Sequence, residues 1–319
     1  MTPRPLGDGV IGTITLNPSI DQILTVRHLV KDDANRALAV EHYPGGKGIN
    51  VSKVVRELGG ETRAYVLLSG FVGEYWKHLV ADLDIPFRAM TVAGQTRINT
   101  VLTDLKDKTQ TRVSAPGPTV YLSQVKIFSK QLLKARPRPL FWALGGSLPQ
   151  GMDPGAYARL IRCLQSQGGA LCVLDTDDEA LKKGIEAKPF MIKPNEYEMQ
   201  RLFGRKFKTV KDYIPAAKSL VQKGIKIVIV SLGERGALFV TRNEVFHALG
   251  IRVPVKSKVG AGDSLIGGVV LALARKKSLQ EAARLGIAAS TSAVMREAPR
   301  LCRHEDISKL INRVVIRSL

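Results

Sequence analysis

Short runs of β-branched and other apolar residues alternate along the chain with longer stretches whose apolar positions recur at three- and four-residue spacing. Strand-like segments at 10–16, 64–68 and 140–144 are followed by helix-like segments at 49–58, 74–81 and 154–165. The same order returns with 170–174 and 178–183, with 190–192 and 196–203, and with a helical 210–222 leading into a strand at 225–230. A strand, a helix and a further strand imply a crossover, so the pattern predicts an α/β fold with a doubly wound, mostly parallel sheet flanked by helices. Two stretches break the alternation. Segments 23–27 with 36–42, and 87–91 with 97–105 and 109–113, are strand-like with no helix between neighbours. They predict a small second sheet inserted within about 23–42 and 87–113, a lid over the edge of the larger one. Beyond Gly260, segments 263–275, 279–295 and 304–316 all carry helical patterns.

The 319 residues, 45% hydrophobic and 24% charged, suffice for one large domain spanning 1–319 and exclude general disorder. No internal repeat or low-complexity segment divides the chain. Its longest apolar stretch, 265–274, is about half the ~20 residues a membrane span needs. The opening MTPRPLGDGVIG lacks the basic segment, apolar core and cleavage site of a secretory leader, so a cytoplasmic location is expected. Cys163, Cys172 and Cys302 form no metal-ligand spacing and read as free thiols. The 48 Lys and Arg against 28 Asp and Glu give a net charge of +20, which favours anionic partners. These residues are scattered rather than gathered in a run, which favours a solvated surface and an anionic small substrate over a nucleic-acid track.

Candidate chemistry concentrates in glycine-rich turns. In VGAGDS, Gly260, Ala261 and Gly262 open directly into a helix, whose free N–H groups and dipole make an anion site. Asp263 in this position reads either as a helix cap or as a general base beside a bound phosphate. The turn YPGGKGIN carries Gly45, Gly46, Lys47 and Asn50, without the spacing of a P-loop or a dinucleotide fingerprint. Asn50 suits sugar hydroxyls or a turn cap. In TLNPSID, Asp21 follows the first strand, where ligands of parallel sheets bind, although a simple turn residue fits equally. In KPNEYE, Asn195 and Glu198 stand three apart at a helix start, a spacing for an outer-shell hold on Mg²⁺ or for a capping box.

Taken in order, NPSID, GGKGIN, GGSLP at 145–149, KPNEYE, SLGERG and VGAGD resemble the ribokinase-like (PfkB) carbohydrate kinases over residues 10–310. Within that family the likeness is to the phosphofructokinase and tagatose-6-phosphate kinase branch. The resemblance implies ATP as donor, Mg²⁺ as metal and a homodimer formed through the β-lid. Asp263 would be the catalytic base, with the N–H groups of Gly260, Ala261 and Gly262 as anion hole. Asp21, Gly45, Gly46, Lys47, Asn50 and Ser147 would bind the sugar. Arg97 in TRIN and Arg112 would clamp its phosphate, with Arg36 in the first lid segment as a further candidate. Lys193, Asn195, Ser231, Gly233 and Gly236 would hold the nucleotide, and Asn195 and Glu198 the Mg²⁺ through water. In this family's minor 6-phosphofructokinase an Asn- and Gly-containing loop helps bind a monovalent cation. MREAPR at 295–300 stands there instead, so Arg296 or Lys258 would supply fixed positive charge.

The expected reaction is phosphorylation of fructose 6-phosphate or fructose 1-phosphate to fructose 1,6-bisphosphate. Tagatose 6-phosphate is the alternative substrate, and an inactive kinase-fold regulator that binds nucleic acid is the alternative class.

Overall fold

The computed structural model describes residues 9–166 and 168–319; the first eight residues, which belong to the segment read as lacking a leader, and Gln167 lie outside the described residues. In chain order the strands are β1 (Ile11–Thr15), β2 (Ser19–Val26), β3 (Ala39–Gly45), β4 (Thr62–Leu68), β5 (Phe87–Thr91), β6 (Arg97–Asp104) and β7 (Thr109–Val113). They continue with β8 (Phe141–Gly145), β9 (Leu171–Asp175), β10 (Met191–Ile192), β11 (Ile227–Ser231), β12 (Gly236–Val240), β13 (Val245–Leu249) and β14 (Ile316–Ser318). The helices are α1 (Lys47–Glu57), α2 (Gly70–Ala81), α3 (Leu122–Leu133), α4 (Ala156–Gln165), α5 (Asp178–Ile185), α6 (Glu196–Phe203), α7 (Tyr213–Gln222), α8 (Ala261–Ala274), α9 (Leu279–Val294) and α10 (His304–Leu310).

The large sheet has the order β14-β13-β12-β11-β10-β9-β8-β1-β4-β5. From β5 to β11 every pairing is parallel, and the last three strands are added antiparallel. Alternate side chains feed two separate cores, as the strand period of two requires. On β8, Trp142 and Leu144 join residues of α3, α4, α5 and α7, whereas Phe141 and Ala143 join α1, α8 and α9.

The small sheet, β3-β2-β6-β7, is the expected lid, with two corrections. Strand β2 starts at Ser19, inside the NPSID motif, so Asp21 lies on the strand rather than in a turn. Segment 87–91 is not part of the lid: as β5 it pairs in parallel with β4 at the edge of the large sheet. Helix α2 provides its crossover, and Phe87 packs edge-on against the buried Trp76, ring centroids 5.8 Å apart. Three elements escape the alternation pattern altogether, namely α3 and the antiparallel strands β12 and β13. The last helical pattern also stops early, because α10 ends at Leu310 and the chain returns as β14 against β13.

Helix α8 is buried almost all round between α1 and α9. An added Cβ on Gly268 would stand 2.9 Å from the Gly286 Cα, so the two backbones meet without side chains between them. Gly268→Ala gains about 1 kcal/mol of helix propensity. Separating two packed backbones costs about 1–3 kcal/mol, so the variant is expected to be net destabilised, read as a lower urea midpoint with an unchanged slope.

Candidate active site

The carboxyl ends of the central parallel strands converge on the N-terminus of α8, the position at which open α/β sheets bind ligands. Gly260 caps the helix in the left-handed region at φ 76°. The first helical bond runs from the Ser264 N–H to the Gly260 carbonyl at 2.8 Å, so the N–H groups of 261–263 precede it and point out of the helix end. Asp263 lies in this first turn, buried, and its Oδ2 accepts a hydrogen bond of 2.8 Å from Asn50 Nδ2 on α1.

Asp175, the last residue of β9, is buried between two ammonium groups, 3.2 Å from Lys47 Nζ on one oxygen and 3.2 Å from Lys193 Nζ on the other. Lys193 lies against the α8 turn, its Nζ 3.3 Å from where a Gly262 Cβ would stand. Burial opposes the Asp175 charge, but Lys193 and Lys47 outweigh it and hold the carboxyl below the ordinary range. Burial likewise works against the Lys47 ammonium, yet Asp175, with Asp263 and Glu198, holds its pKa above the usual lysine value. Asp263 goes the other way. Burial pushes its pKa up to about 6 with Asp175 adding to the rise, while Lys47, the Asn50 hydrogen bond and Lys193 limit it. Two carboxylates near the same lysines thus differ sharply: Asp175 remains a fixed anion, and Asp263 is a basic carboxylate suited to accept a proton near neutral pH.

Asn195 and Glu198 form the capping box: Asn195 Oδ1 accepts from the Glu198 N–H at 2.9 Å, and Glu198 Oε2 accepts from the Asn195 N–H at 2.8 Å. Glu198 Oε1 accepts from Asn195 Nδ2, and burial raises the pKa of the Glu198 carboxyl. Each carboxylate oxygen keeps lone-pair capacity, so the pair fits a water-mediated hold on a metal while serving as a cap. The Ser231 N–H donates to the Pro194 carbonyl at 3.0 Å, which brings the Ser231–Gly236 turn beside this segment.

The lid supplies the opposite wall. Its register puts Ser19, Asp21, Arg97, Asn99 and Arg112 on one face of the sheet. Asp21 Oδ1 accepts from Asn99 Nδ2 and from Ser19 Oγ, each at 2.9 Å. An added Cβ on Gly45 would stand 2.5 Å from Asp21 Oδ2, a close approach that only glycine permits. Arg97 is braced by the Asn17 carbonyl at 3.0 Å and the Ala115 carbonyl at 3.1 Å, with Arg112 close enough to depress its pKa further after burial. Asn17 Nδ2 donates to Ser147 Oγ at 3.3 Å, joining the ends of β1 and β8.

Nearly all the residues singled out in the sequence therefore collect at one end of the sheet. Arg36 does not: it is exposed in the loop between β2 and β3. The positive charge expected at Arg296 is neutralised by Asp306, which also accepts from Ser292, and Lys258 is exposed ahead of Gly260. Asp175 was absent from the expected set although it links both lysines. Its only signal in the sequence is an acid at the end of the strand LCVLD, a place where turn aspartates are common.

A family model for "pfkB family carbohydrate kinase" matches residues 10–306. The chain is 33% identical to the 1-phosphofructokinase of Bacillus subtilis over 310 residues, 97% of this chain and all of that protein. It is 32% identical over 302 residues to the ATP-dependent 6-phosphofructokinase isozyme 2 of Escherichia coli, covering 94% of this chain and 97% of the relative. The crystal structure of phosphofructokinase-2 from Escherichia coli in complex with potassium superposes with a TM-score of 0.90 at 32% identity, covering 96% of this chain and 99% of that one. The chain belongs to the pfkB family of carbohydrate kinases and is an ATP-dependent sugar-phosphate kinase with the ribokinase-like fold.

A carboxylate with a pKa of about 6 that serves as general base would have to be ionised to act, so kcat/KM is expected to fall as pH drops through about 6 if Asp263 has that role. Asn50→Ala removes a hydrogen bond that favours the anion, so its acidic limb should lie at higher pH than that of the parent enzyme. Steady-state rates between pH 5 and pH 8 check both.

Proposed function

We propose that the protein transfers the γ-phosphoryl group of ATP to a hydroxyl of a ketohexose phosphate, fructose 6-phosphate or fructose 1-phosphate, giving fructose 1,6-bisphosphate. The observation that carries this reading is Asp263, buried in the first turn of α8 where burial raises its pKa to about 6, with the lid face of Ser19, Asp21, Arg97 and Asn99 across from it. The substrate hydroxyl gives its proton to Asp263 as its oxygen attacks the γ-phosphorus, and the bond to the ADP oxygen breaks. The N–H groups of Gly260, Ala261, Gly262 and Asp263, with Lys193 beside them, take up charge on the moving phosphoryl group. Magnesium would be held through water by Asn195 and Glu198 and would neutralise triphosphate charge. Ser231, Gly233 and Gly236 line the nucleotide. Asp21, Gly45, Gly46 and Asn50 hold the sugar with Ser147 nearby, and Arg97, Arg112 and Lys47 favour a phosphorylated sugar over a neutral one. The relatives named for fructose phosphates support this choice.

Kinetics on fructose 6-phosphate, fructose 1-phosphate, tagatose 6-phosphate and unphosphorylated sugars test it: one fructose phosphate is expected to have the highest kcat/KM. A preference for neutral sugars would refute the reading. Asp263→Asn is expected to lower kcat by about 10²–10⁴-fold while retaining ATP binding. Its Tm at pH 7 should be equal to or above that of the parent. The folded pKa lies above the unfolded one, so the ionised carboxylate opposes folding at neutral pH and ceases to do so as pH falls.

The outer face of the lid leads to a second part of the proposal, a homodimer formed through this sheet. Val40, Ile98 and Val113 share one parity in the strand register and are 52%, 41% and 65% exposed, opposite the polar face that carries Asp21 and Arg97. Sedimentation velocity is expected to give a dimer that Val40→Lys with Val113→Lys dissociates. A monomeric parent protein would refute it.

A further inference from the structure

Lys53 was in no expected site, and no motif singles it out. It projects from α1 one turn after Asn50, partly buried, with its ammonium donating to two acceptors. One is the carbonyl of Pro44, in the lid strand β3 just before it enters the glycine turn. The other is Asn50 Oδ1, at 3.5 Å. Asn50 in turn donates through Nδ2 to Asp263 Oδ2 at 2.8 Å. The result is a chain from the root of the lid through Lys53 and Asn50 to the base.

The chemistry of the three groups permits only one orientation of the middle one. An ammonium can only donate and an ionised carboxylate can only accept. With Lys53 on one side and Asp263 on the other, the Asn50 amide is forced to present oxygen to the lysine and nitrogen to the aspartate. Flipping it would set oxygen against a carboxylate and NH₂ against NH₃⁺. Without Lys53, the amide loses half of this constraint and can turn away from the base.

We infer that Lys53 is a positioning residue for the phosphoryl transfer: it locks the Asn50 amide so that Asp263 Oδ2 is engaged and Oδ1 is left for the substrate hydroxyl, and it ties this alignment to the lid root at Pro44. The inference rests on Asp263 being the base. Burial lowers the pKa of Lys53 to about 8, while Asp21 and Asp263 oppose the fall. A lysine kept in such surroundings is costly to the fold unless its charge serves something nearby. The other charged groups that act on Asp263 are Lys47 on α1, Asp175 at the end of β9 and Lys193 after β10. None of them contacts the Asn50 oxygen among the described hydrogen bonds.

Lys53→Met keeps the stem and removes the donors and the charge, so folding should be retained or improved, read by Tm. Its kcat with ATP and the preferred fructose phosphate is expected to fall about 10- to 100-fold, with KM for ATP within about 2-fold of the parent. The acidic limb of kcat/KM should move to higher pH, because a positive charge near the carboxylate is lost. Lys53→Arg, which preserves donors and charge, should recover most of kcat. In an Asn50→Ala background, Lys53→Met should change kcat less than about 3-fold, because the two act as one unit. Parent-like kcat and pH profile in Lys53→Met would overturn the inference, as would a full additional loss in the Asn50→Ala background. Should Lys53→Met fail to fold, Lys53→Gln in the same double-mutant cycle carries the test. A parent enzyme inactive on every sugar phosphate would instead overturn the proposed function, so the two failures are told apart by the parent's own turnover.

Discussion

As the proposed base, Asp263 has to be buried to be basic and yet ionised to work, and the groups around it answer that conflict. Burial raises its pKa, and a lone carboxylate at that depth would simply take a proton and stay neutral. The helix N-terminus, Lys47, Lys193 and the Asn50 amide pull the other way, so the acid settles at about 6 instead of far above neutrality. Asp175 completes the balance. Bridging the two lysines at 3.2 Å on each side, it fixes their ammonium groups beside the N-terminus of α8.

This arrangement follows from the topology. Parallel strands all end on the same side, so Thr15, Gly145, Asp175 and Ile192 deliver their following residues to one rim, and α8 points its N-terminus at that rim. The helix can sit there because Gly267 and Gly268 let α1 and α9 approach its backbone closely. Asn50 on α1 then reaches Asp263 on α8, and a packing decision in the core becomes a hydrogen bond to the buried carboxylate. The destabilising features of the site, a buried carboxylate and a half-buried lysine, lie on this firmly packed pair of helices, which can hold them in place.

The lid has two chemically different faces for the same reason that any strand does. Its inward parity carries Asp21, Asn99, Arg97 and Arg112, and its outward parity carries Val40, Ile98 and Val113. A polar and an apolar sheet face can coexist on one sheet only if the register is held. The β2–β6 pairing, running from Ser19 with Arg97 to Val26 with Asp104, holds it.

Much of this is legible in the chain alone. Local periodicity determined the strand-helix alternation, and glycine turns next to helix starts marked the anion site, because both depend on residues within a few positions of one another. The 196–203 helix and its Asn195–Glu198 cap were visible for that reason. What depended on distant partners was not visible. Segment 87–91 has the same strand pattern as its lid neighbours, and only pairing with β4 and packing on Trp76 assign it to the large sheet. Asp175 looks like any acid at a strand end until two lysines from other elements close around it. Asn50 reads equally well as a cap or a sugar ligand, and its contact with an aspartate 213 residues away exists only in the folded chain. Sequence alone determines the local conformations and the inventory of chemical groups; which groups meet, and therefore their charge states, is decided by tertiary packing, since burial and electrostatic neighbours act through space and not along the chain.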